Sequence, residues 1–390
     1  MRALQPKGIL LLAAVAFAFF DATLTAAAAS PSTASAQSAA KGNSSEPPEI
    51  DPVTEARGNQ LIQEYHDATY RSLLASNAPR DWALAPMLHA GMQPYAYDTA
   101  EDDDAINRAA MAAPNDALVQ WIALVRSRQP KASIIDAAAA RQALERLESE
   151  NALIWLETLT QAWQRKDMAG VDAALRRMAE SKRSDEHLAD LIKNLLAVYK
   201  RYPMPKELTS LLNGALPADM AGAAIDAFPQ ISTVAVVSAF ALPSYQALTQ
   251  ACANDPKSAT NATRMSACAA IGRLMVEHST TLIGNRIGSA VLRRSRTFND
   301  EDVRQARELD WVWQQRYGSD VASISTPTEM VAHLNDWVET GSEVEAMRRA
   351  VARAGKPVTP PTDWIDKQSP YSVERLRADA AASAATPAAH

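Results

Sequence analysis

Residues able to do chemistry are scattered along this chain and form no recognisable motif. No two of the six histidines stand four residues apart, as in a helical zinc site, and HExxH, GxSxG and P-loop patterns do not occur. Glu277, His278, Ser279 and Thr280 place an acid, a base and two hydroxyls in succession, but neighbours on a helix point in different directions. The sequence therefore identifies no catalytic, cofactor-binding or metal-ligating residue.

Carboxylates that are distant in the sequence can still meet in a fold, so an enzyme is an alternative that the sequence leaves open. Dispersed acids such as Glu277 or Asp310 would suit a cell-wall or peptide hydrolase. The run Glu101 to Asp104 offers carboxylates to calcium but lacks the alternating acids and the glycine of a calcium loop. We interpret that run as a helix N-terminus, where the macrodipole favours negative charge.

The two cysteines, Cys252 and Cys268, flank the polar loop 253–266. In an exported chain an even number of cysteines predicts a disulfide, with two buried thiols or a redox or metal pair as the alternatives. Closing a loop of this size contributes about 3 kcal/mol in the chain-entropy model. We predict a structural disulfide between these residues.

Eight tryptophans are further candidates, because aromatic rings line grooves for peptides and carbohydrates. Five follow the apolar stripes of predicted helices and are assigned to the core: Trp121, Trp155, Trp163, Trp313 and Trp337. The other three, Trp82, Trp311 and Trp364, are the better candidates for exposed contact and form the predicted binding surface.

Helices are the elements that must position these residues. The chain of 390 residues is 47% hydrophobic, enough for a sizeable core, and its Ala-rich composition with 13 Gly favours helix. Runs of β-branched residues are nearly absent outside 231–237. The net charge is −6 and the basic residues do not gather on one face, which argues against a nucleic-acid partner. The predicted fold class is all-α.

Apolar residues recur at helical spacing from Asn151 to Tyr199, and a break near Asp167 divides this stretch into two antiparallel helices. The apolar triplet 117–119 recurs as 152–154, and leucines of the second copy recur again at the same offset. Equal offsets predict a stacked helical repeat. The predicted helix pairs are 115–126 with 133–148, 151–166 with 168–181, and 186–202 with 206–212.

One set of aromatic, small and polar residues belongs to the second of these pairs: Asn151, Ala152, Trp155, Ala162, Trp163, Asp167, Ala173 and Ala179. This set resembles the tetratricopeptide repeat, in which an early aromatic and small residues let paired helices nest closely. The resemblance covers 115–212. It implies an α-solenoid of stacked helix pairs with a surface that binds peptides or proteins.

The period is lost from residue 215 onward, where we expect a helical C-terminal half. The pair Gly284 and Gly288 predicts a small-residue face on which another helix packs. Thr326 and Ser342 begin two helices as N-caps, and glycines close both.

The N-terminus has the layout of a secretory signal peptide. Arg2 and Lys7 precede the apolar run Ile9 to Phe20, which small residues follow through Ala29. The run is shorter than the roughly 20 residues that cross a bilayer. We therefore predict a periplasmic or secreted protein that keeps no membrane span after cleavage and has no cysteine for lipid attachment.

The predicted organisation leads to one preferred function. Its parts are a signal peptide at 1–29, a disordered leader at 30–49, a helical repeat at 50–214, a helical domain at 215–356 and a Pro/Ala-rich tail at 357–390. The preferred function is an exported module that binds a protein or peptide in the cell envelope, without a cofactor. A raised pKa on a carboxylate inside a cleft would favour the hydrolase, and an open groove lined by aromatics would favour binding.

The intact mass of the chain purified from its native host tests the export and disulfide predictions together. The mature chain should lack at least residues 1–26, and the Cys252–Cys268 bond should make it two hydrogen atoms lighter than its reduced form. A full-length, reduced product would contradict both predictions.

Overall fold

The computed structural model describes residues 51–92, 100–128, 134–216, 218–239, 243–253, 262–317 and 326–364. Within these ranges the chain forms seventeen α-helices, one 3-10 turn and no strand, so the all-α prediction is confirmed. The predicted signal peptide, the leader up to 49 and the tail beyond 364 lie outside the described residues. No helix within them has both the length and the apolar character that a bilayer crossing requires.

The helices are numbered in chain order. The first nine are α1 (Pro52–Leu74), α2 (Pro79–Met92), α3 (Ala100–Ala112), α4 (Ala117–Arg126), α5 (Ala137–Leu147), α6 (Leu156–Gln164), α7 (Met168–Ala179), α8 (Leu188–Arg201) and α9 (Lys206–Ala215), with the 3-10 turn (Ala152–Trp155) before α6. The remaining eight are α10 (Ala218–Asp226), α11 (Phe228–Ala239), α12 (Gln246–Ala251), α13 (Ala262–His278), α14 (Leu282–Ser295), α15 (Asp300–Tyr317), α16 (Pro327–Thr340) and α17 (Glu343–Arg353).

Side-chain caps explain where many of these helices begin. Asp51 accepts hydrogen bonds from the first-turn amides of α1, and Asp167 caps α7 by accepting from the Gly170 amide at 2.9 Å. Thr326 and Ser342 cap α16 and α17 as the sequence predicts. The predicted start at Ser133 lies outside the described residues, and α5 begins after Asp136, which accepts from the Ala139 amide at 2.9 Å.

Two of the three predicted helix pairs pack as pairs. Helix α4 packs against α5, and α6 packs against α7. Both helices of the third predicted pair form, but they do not pack chiefly against each other. Helix α8 packs mainly against α11 and α16, and α9 packs mainly against α1 and α10. Pro205 stands just before α9 in an extended conformation, and Leu208 and Leu212 of α9 join Leu61 and Ile62 of α1 in a separate small core.

A single large hydrophobic cluster connects the two predicted halves of the chain. It includes residues from Tyr65 in α1 to Ala346 in α17. Helix α7 packs on α13, α6 on α12 and α2 on α11, so helices of the later half complete the core of the earlier half. The core thus continues across the boundary that the sequence suggests near residue 214.

Helices α13 and α14 approach each other closely at Gly288. A Cβ atom added to Gly288 would lie 2.7 Å from the Gly272 carbonyl oxygen and 2.8 Å from the Val276 nitrogen. Gly288 therefore makes the close helix contact that the sequence predicts, whereas a Cβ added to Gly284 would meet Ser279 and Glu186. The cysteine prediction is also confirmed, since the Sγ atoms of Cys252 and Cys268 are 1.98 Å apart in a bond that joins the end of α12 to α13.

Replacing Gly288 with alanine should lower the free energy of unfolding. The added methyl group meets backbone atoms of α13, so the two helices must separate, and overpacking of this kind costs about 1–3 kcal/mol. Gly222→Ala in α10 is the matched control, because its added methyl group meets nothing within 4 Å and alanine favours helix by roughly 0.5–1 kcal/mol. Urea unfolding measures both changes, and equal effects would contradict the close-contact explanation.

Candidate functional site

An open cleft lies where the start of α2, the α3–α4 connection and α8 meet. Its volume is about 560 Å³. The lining residues are Arg80 from α2, residues 112–118 from the end of α3 through the first turn of α4, and Asp190, Lys193 and Asn194 from α8. Both charge signs and two asparagine amides, from Asn115 and Asn194, therefore face one concave surface.

One wall of the cleft is held by a bidentate ion pair. Arg80 donates from Nε and Nη2 to Asp116 Oδ2 at 2.9 and 2.7 Å. Asp116 also caps α4, because its Oδ1 accepts from the Val119 amide at 3.3 Å. Helix capping fixes the carboxylate, and the carboxylate in turn orients the guanidinium group.

The opposite wall is one face of α8. Asp190 and Lys193 lie three residues apart and are exposed, so they are neighbours on the helix surface. The Asn194 amide donates to the Asp190 main-chain oxygen at 2.7 Å. The cleft thus offers a carboxylate and an ammonium group to anything that enters it.

Behind Asp190 lies a buried imidazole that is held between carboxylates. Nε2 of His187 is 2.9 Å from Glu148 Oε2, and its Nδ1 faces Asp190 Oδ2 at 3.8 Å. Burial lowers the pKa of His187, but Asp190, Glu148 and Asp185 outweigh burial and raise that pKa to about 9. His187 is therefore an imidazolium at neutral pH, with an acid on each side of its ring.

Glu148 is the inner partner of this imidazolium. Burial opposes its ionisation, yet hydrogen bonds from His187, Arg183 and Asn151 lower the pKa of Glu148 to about 2. Arg183 Nη2 is 2.8 Å from Glu148 Oε1, and the Asn151 amide donates to Glu148 Oε2 at 3.1 Å. The carboxylate stays charged across the physiological range and keeps His187 protonated.

The 181–187 connection between α7 and α8 carries several of these groups and is clamped on two sides. Ala152 donates its amide to the Arg183 carbonyl at 2.9 Å, which joins the connection to the 3-10 turn. On the other side, the Thr280 amide donates a hydrogen bond to the Ser184 carbonyl at 3.0 Å. Residues far apart in the sequence are thereby fixed around one short segment.

Glu186 is the most enclosed acid of this connection. Tyr245 and Thr281 each donate a hydroxyl to Glu186 Oε1 at 2.8 Å, and Thr280 lies 3.0 Å from Oε2. Burial raises the pKa of Glu186, and the hydroxyl donors only partly oppose that effect. The Thr280 hydroxyl also lies 3.1 Å from Asp185 Oδ1, so its one hydrogen is shared between two neighbouring acids.

A second buried acid stands at the start of α17. Glu343 Oε2 accepts the Leu282 amide at 2.7 Å and thus satisfies the first residue of α14. Burial raises the pKa of Glu343 to about 7, the Leu282 amide opposes that rise, and the nearby charge of Glu186 adds to it. Glu343 therefore titrates close to neutral pH inside the fold.

These two carboxyl groups with raised pKa values lie in the protein interior and not among the residues of the cleft. Their contacts are hydroxyl and amide groups of the fold itself. Of the acids that the sequence singled out, Asp310 is buried and paired with Arg286, while Glu277 is partly exposed and lies 3.7 Å from His278. In the run 101–104, Asp103 accepts a hydrogen bond from the buried Arg126 at 2.6 Å in the first turn of α3.

The three tryptophans predicted to be exposed have different environments. Trp311 is 8% exposed and donates its ring N–H to the Pro357 carbonyl at 2.8 Å, so its predicted exposure is wrong. Trp364 packs on Trp311 with ring centroids 5.2 Å apart. Trp82 is half-buried, donates to the Ser76 carbonyl at 2.7 Å and lies beneath the Arg108 guanidinium at 4.5 Å. Trp311 and Trp364 therefore contact each other, whereas the contacts of Trp82 are with Ser76 and Arg108.

Sequence reasoning missed Arg80, Asp116, Asp190 and Lys193. Their pattern is that of helix caps and solvated helix faces, which gives no sign that three separate elements meet. Searches of protein families, of curated proteins and of solved structures find no match to this chain. The functional argument therefore rests on the chemistry of the cleft and its supports.

Replacing Glu343 with glutamine should change how stability depends on pH. The pKa of Glu343 is raised from 4.5 to about 7 by folding, so its contribution is complete below about pH 4.5 and is lost as the pH rises through 7. Between pH 4 and pH 8.5 the wild-type chain should lose roughly 3 kcal/mol relative to Glu343→Gln, which cannot ionise.

Urea unfolding at a series of pH values measures this difference. The contribution of His187 is common to both proteins and cancels, and the difference between the profiles reports Glu343 together with its coupling to Glu186. Glu345→Gln, a change in the same turn of α17 at an exposed side chain, is the matched control and should leave the profile unchanged. Parallel profiles for wild type and Glu343→Gln would show that Glu343 does not titrate as described.

Proposed function

We propose that this chain is an exported binding module that takes a peptide or protein segment in the cleft between α2, α4 and α8. The observation that supports this most directly is the cleft of about 560 Å³ with both charge signs and two amides on its walls. A polypeptide segment presents the same combination of charged side chains and peptide groups. The Asn194 amide already donates to the Asp190 main-chain oxygen and Asn115 Oδ1 already accepts from Arg146 at 2.9 Å, so a peptide group would pair with Asn194 Oδ1 and the Asn115 amide.

The supports of the cleft favour binding with little rearrangement. Asp116 is held by its helix cap and by Arg80, and Asp190 is attracted to the imidazolium of His187 behind it. Side chains that already occupy their bound positions lose less entropy when a ligand arrives. Lys193 is exposed on the same wall, where its ammonium group would attract an acidic side chain or a C-terminal carboxylate.

Binding ranks above hydrolysis because of where the unusual acids lie. Glu186 and Glu343 have raised pKa values, yet their hydrogen-bond partners are internal and they do not line the cleft. The cell-envelope setting follows from the N-terminal sequence, and the helical-repeat interpretation of 115–212 is part of the same proposal. The proposed partner is a polypeptide of the envelope.

Site-specific photocrosslinking in the native host tests this proposal. A photoreactive residue at Asn115, inside the cleft, should capture a defined polypeptide that mass spectrometry identifies, whereas the same residue at Glu345 on α17 should not. Lys193→Glu should reduce the capture about tenfold or more, since it reverses a charge in the contact. Lys200→Glu makes the same change on the same helix away from the cleft and should have no effect.

Equal capture from both positions would contradict the proposal. So would capture from Asn115 that survives Lys193→Glu undiminished while the variant remains folded by circular dichroism. If the cleft position captures only further copies of this chain, the ligand of the cleft is a second copy and the proposed function becomes self-assembly.

A further inference from the structure

Helix α15 presents a row of polar and aromatic side chains to the segment that follows α17. Arg307, Trp311 and Gln314 are spaced by four and three residues, so they lie on one helix face. The opposing segment, 356–364, is the arm of this chain and contains Pro357, Pro360 and Pro361.

Main-chain carbonyl groups of the arm are the principal acceptors in this contact. The Trp311 ring N–H donates to the Pro357 carbonyl at 2.8 Å. Arg307 donates from Nη2 to the Pro361 and Thr362 carbonyls at 2.7 and 2.9 Å, and from Nε to the Trp364 carbonyl at 2.9 Å. The two side chains thus bind four carbonyl groups of one short segment.

A single aromatic residue anchors the far end of the arm. Trp364 packs against Trp311 in a T-shaped arrangement with ring centroids 5.2 Å apart, and its ring N–H donates to Gln314 Oε1 at 3.1 Å. At the near end, Lys356 Nζ donates to the Gln315 carbonyl at 2.9 Å. Most side chains between these ends are exposed, and Pro360 is the one between them that is partly buried.

This pattern is what a proline-rich ligand requires of its receptor. Proline lacks an N–H, so a proline-rich segment has fewer internal donors for its carbonyl groups than other segments have. Receptors for such segments use aromatic grooves with side-chain donors aimed at those carbonyls. The arm lies on the surface and is held by donors of α15 and one tryptophan ring, and its Pro361 carbonyl also accepts the Trp364 amide at 3.1 Å, so residues 361–364 close in a turn.

We propose that the α15 face formed by Arg307, Trp311 and Gln314 is a recognition site for proline-rich polypeptide segments in which a tryptophan follows the prolines. Residues 356–364 occupy this site as a ligand within the same chain. A segment of the same chemistry on another polypeptide competes with the arm for the site.

The arm lowers the apparent affinity of such a competitor for the site. A tethered ligand has an effective concentration in the millimolar range, so it masks the site against weak competitors. Loosening the arm without changing α15 should therefore unmask the site. This site lies on α15 and does not depend on the cleft between α2, α4 and α8.

Fluorescence anisotropy with a labelled synthetic peptide of residues 356–364 tests the proposal on the full-length chain. Trp364→Ala removes the ring that anchors the arm and should bind the peptide at least tenfold more tightly than the wild-type chain does. The arm variant with Pro360→Ala and Pro361→Ala provides a second unmasked protein, should Trp364→Ala fail to fold. Adding Trp311→Phe, which keeps a ring but removes the N–H donor, should abolish the gain in either background.

A control peptide and the oligomeric state provide further tests of the site. A peptide with its three prolines replaced by alanine should bind the unmasked variants at least tenfold more weakly. Concentration-dependent dimerisation of the wild-type chain that Trp311→Phe removes would also support the site, with the arm of a second copy as the competitor. Failure of the peptide to bind both folded unmasked variants, or equal binding of the alanine peptide, would overturn the proposal.

Discussion

The carboxyl group of Glu186 is the point on which the arrangement of the chain depends. It is buried where the 181–187 connection meets α12 and the turn before α14, and hydroxyl groups from Tyr245, Thr280 and Thr281 surround it. A buried acid with its partners present costs less than the same acid without them, which carries its full desolvation penalty. The relative positions of these elements are therefore tightly constrained, and alternative packings of the same helices are disfavoured.

That constraint extends outward to the cleft. The 181–187 connection holds His187, whose left-handed backbone conformation starts α8 and turns the ring toward Glu148 and Asp190. The charge on the imidazolium in turn holds Asp190 on the cleft wall. A polar network that begins at a buried carboxyl group thus ends at an exposed carboxylate, and the surface chemistry is set from the interior.

Much of the fold could be predicted from local patterns, because helix caps and apolar spacing act over a few residues. Asp167, Thr326 and Ser342 begin helices where the sequence indicates, and the close contact at Gly288 and the Cys252–Cys268 bond follow from residue type. The pairing of α8 with α11 and α16 could not be predicted in this way. It depends on apolar surfaces from distant parts of the chain, and no short-range pattern encodes which of them meet.

The cleft and the surroundings of Glu186 could not be predicted for the same reason. The burial of Trp311 was also missed, because the residues that cover it were assigned to a tail from their composition.

The separation in sequence between Glu186 and its partners has a consequence for the order of folding. Tyr245 and Thr281 follow Glu186 by 59 and 95 residues, so the helices before α8 complete their polar core only after α12 and α14 exist. Contacts of such long range slow folding, since loop closure must precede their gain. During synthesis the early helices remain without the groups that stabilise their final packing. The packing of the first half is therefore settled late, when the second half of the chain supplies the missing hydroxyl groups.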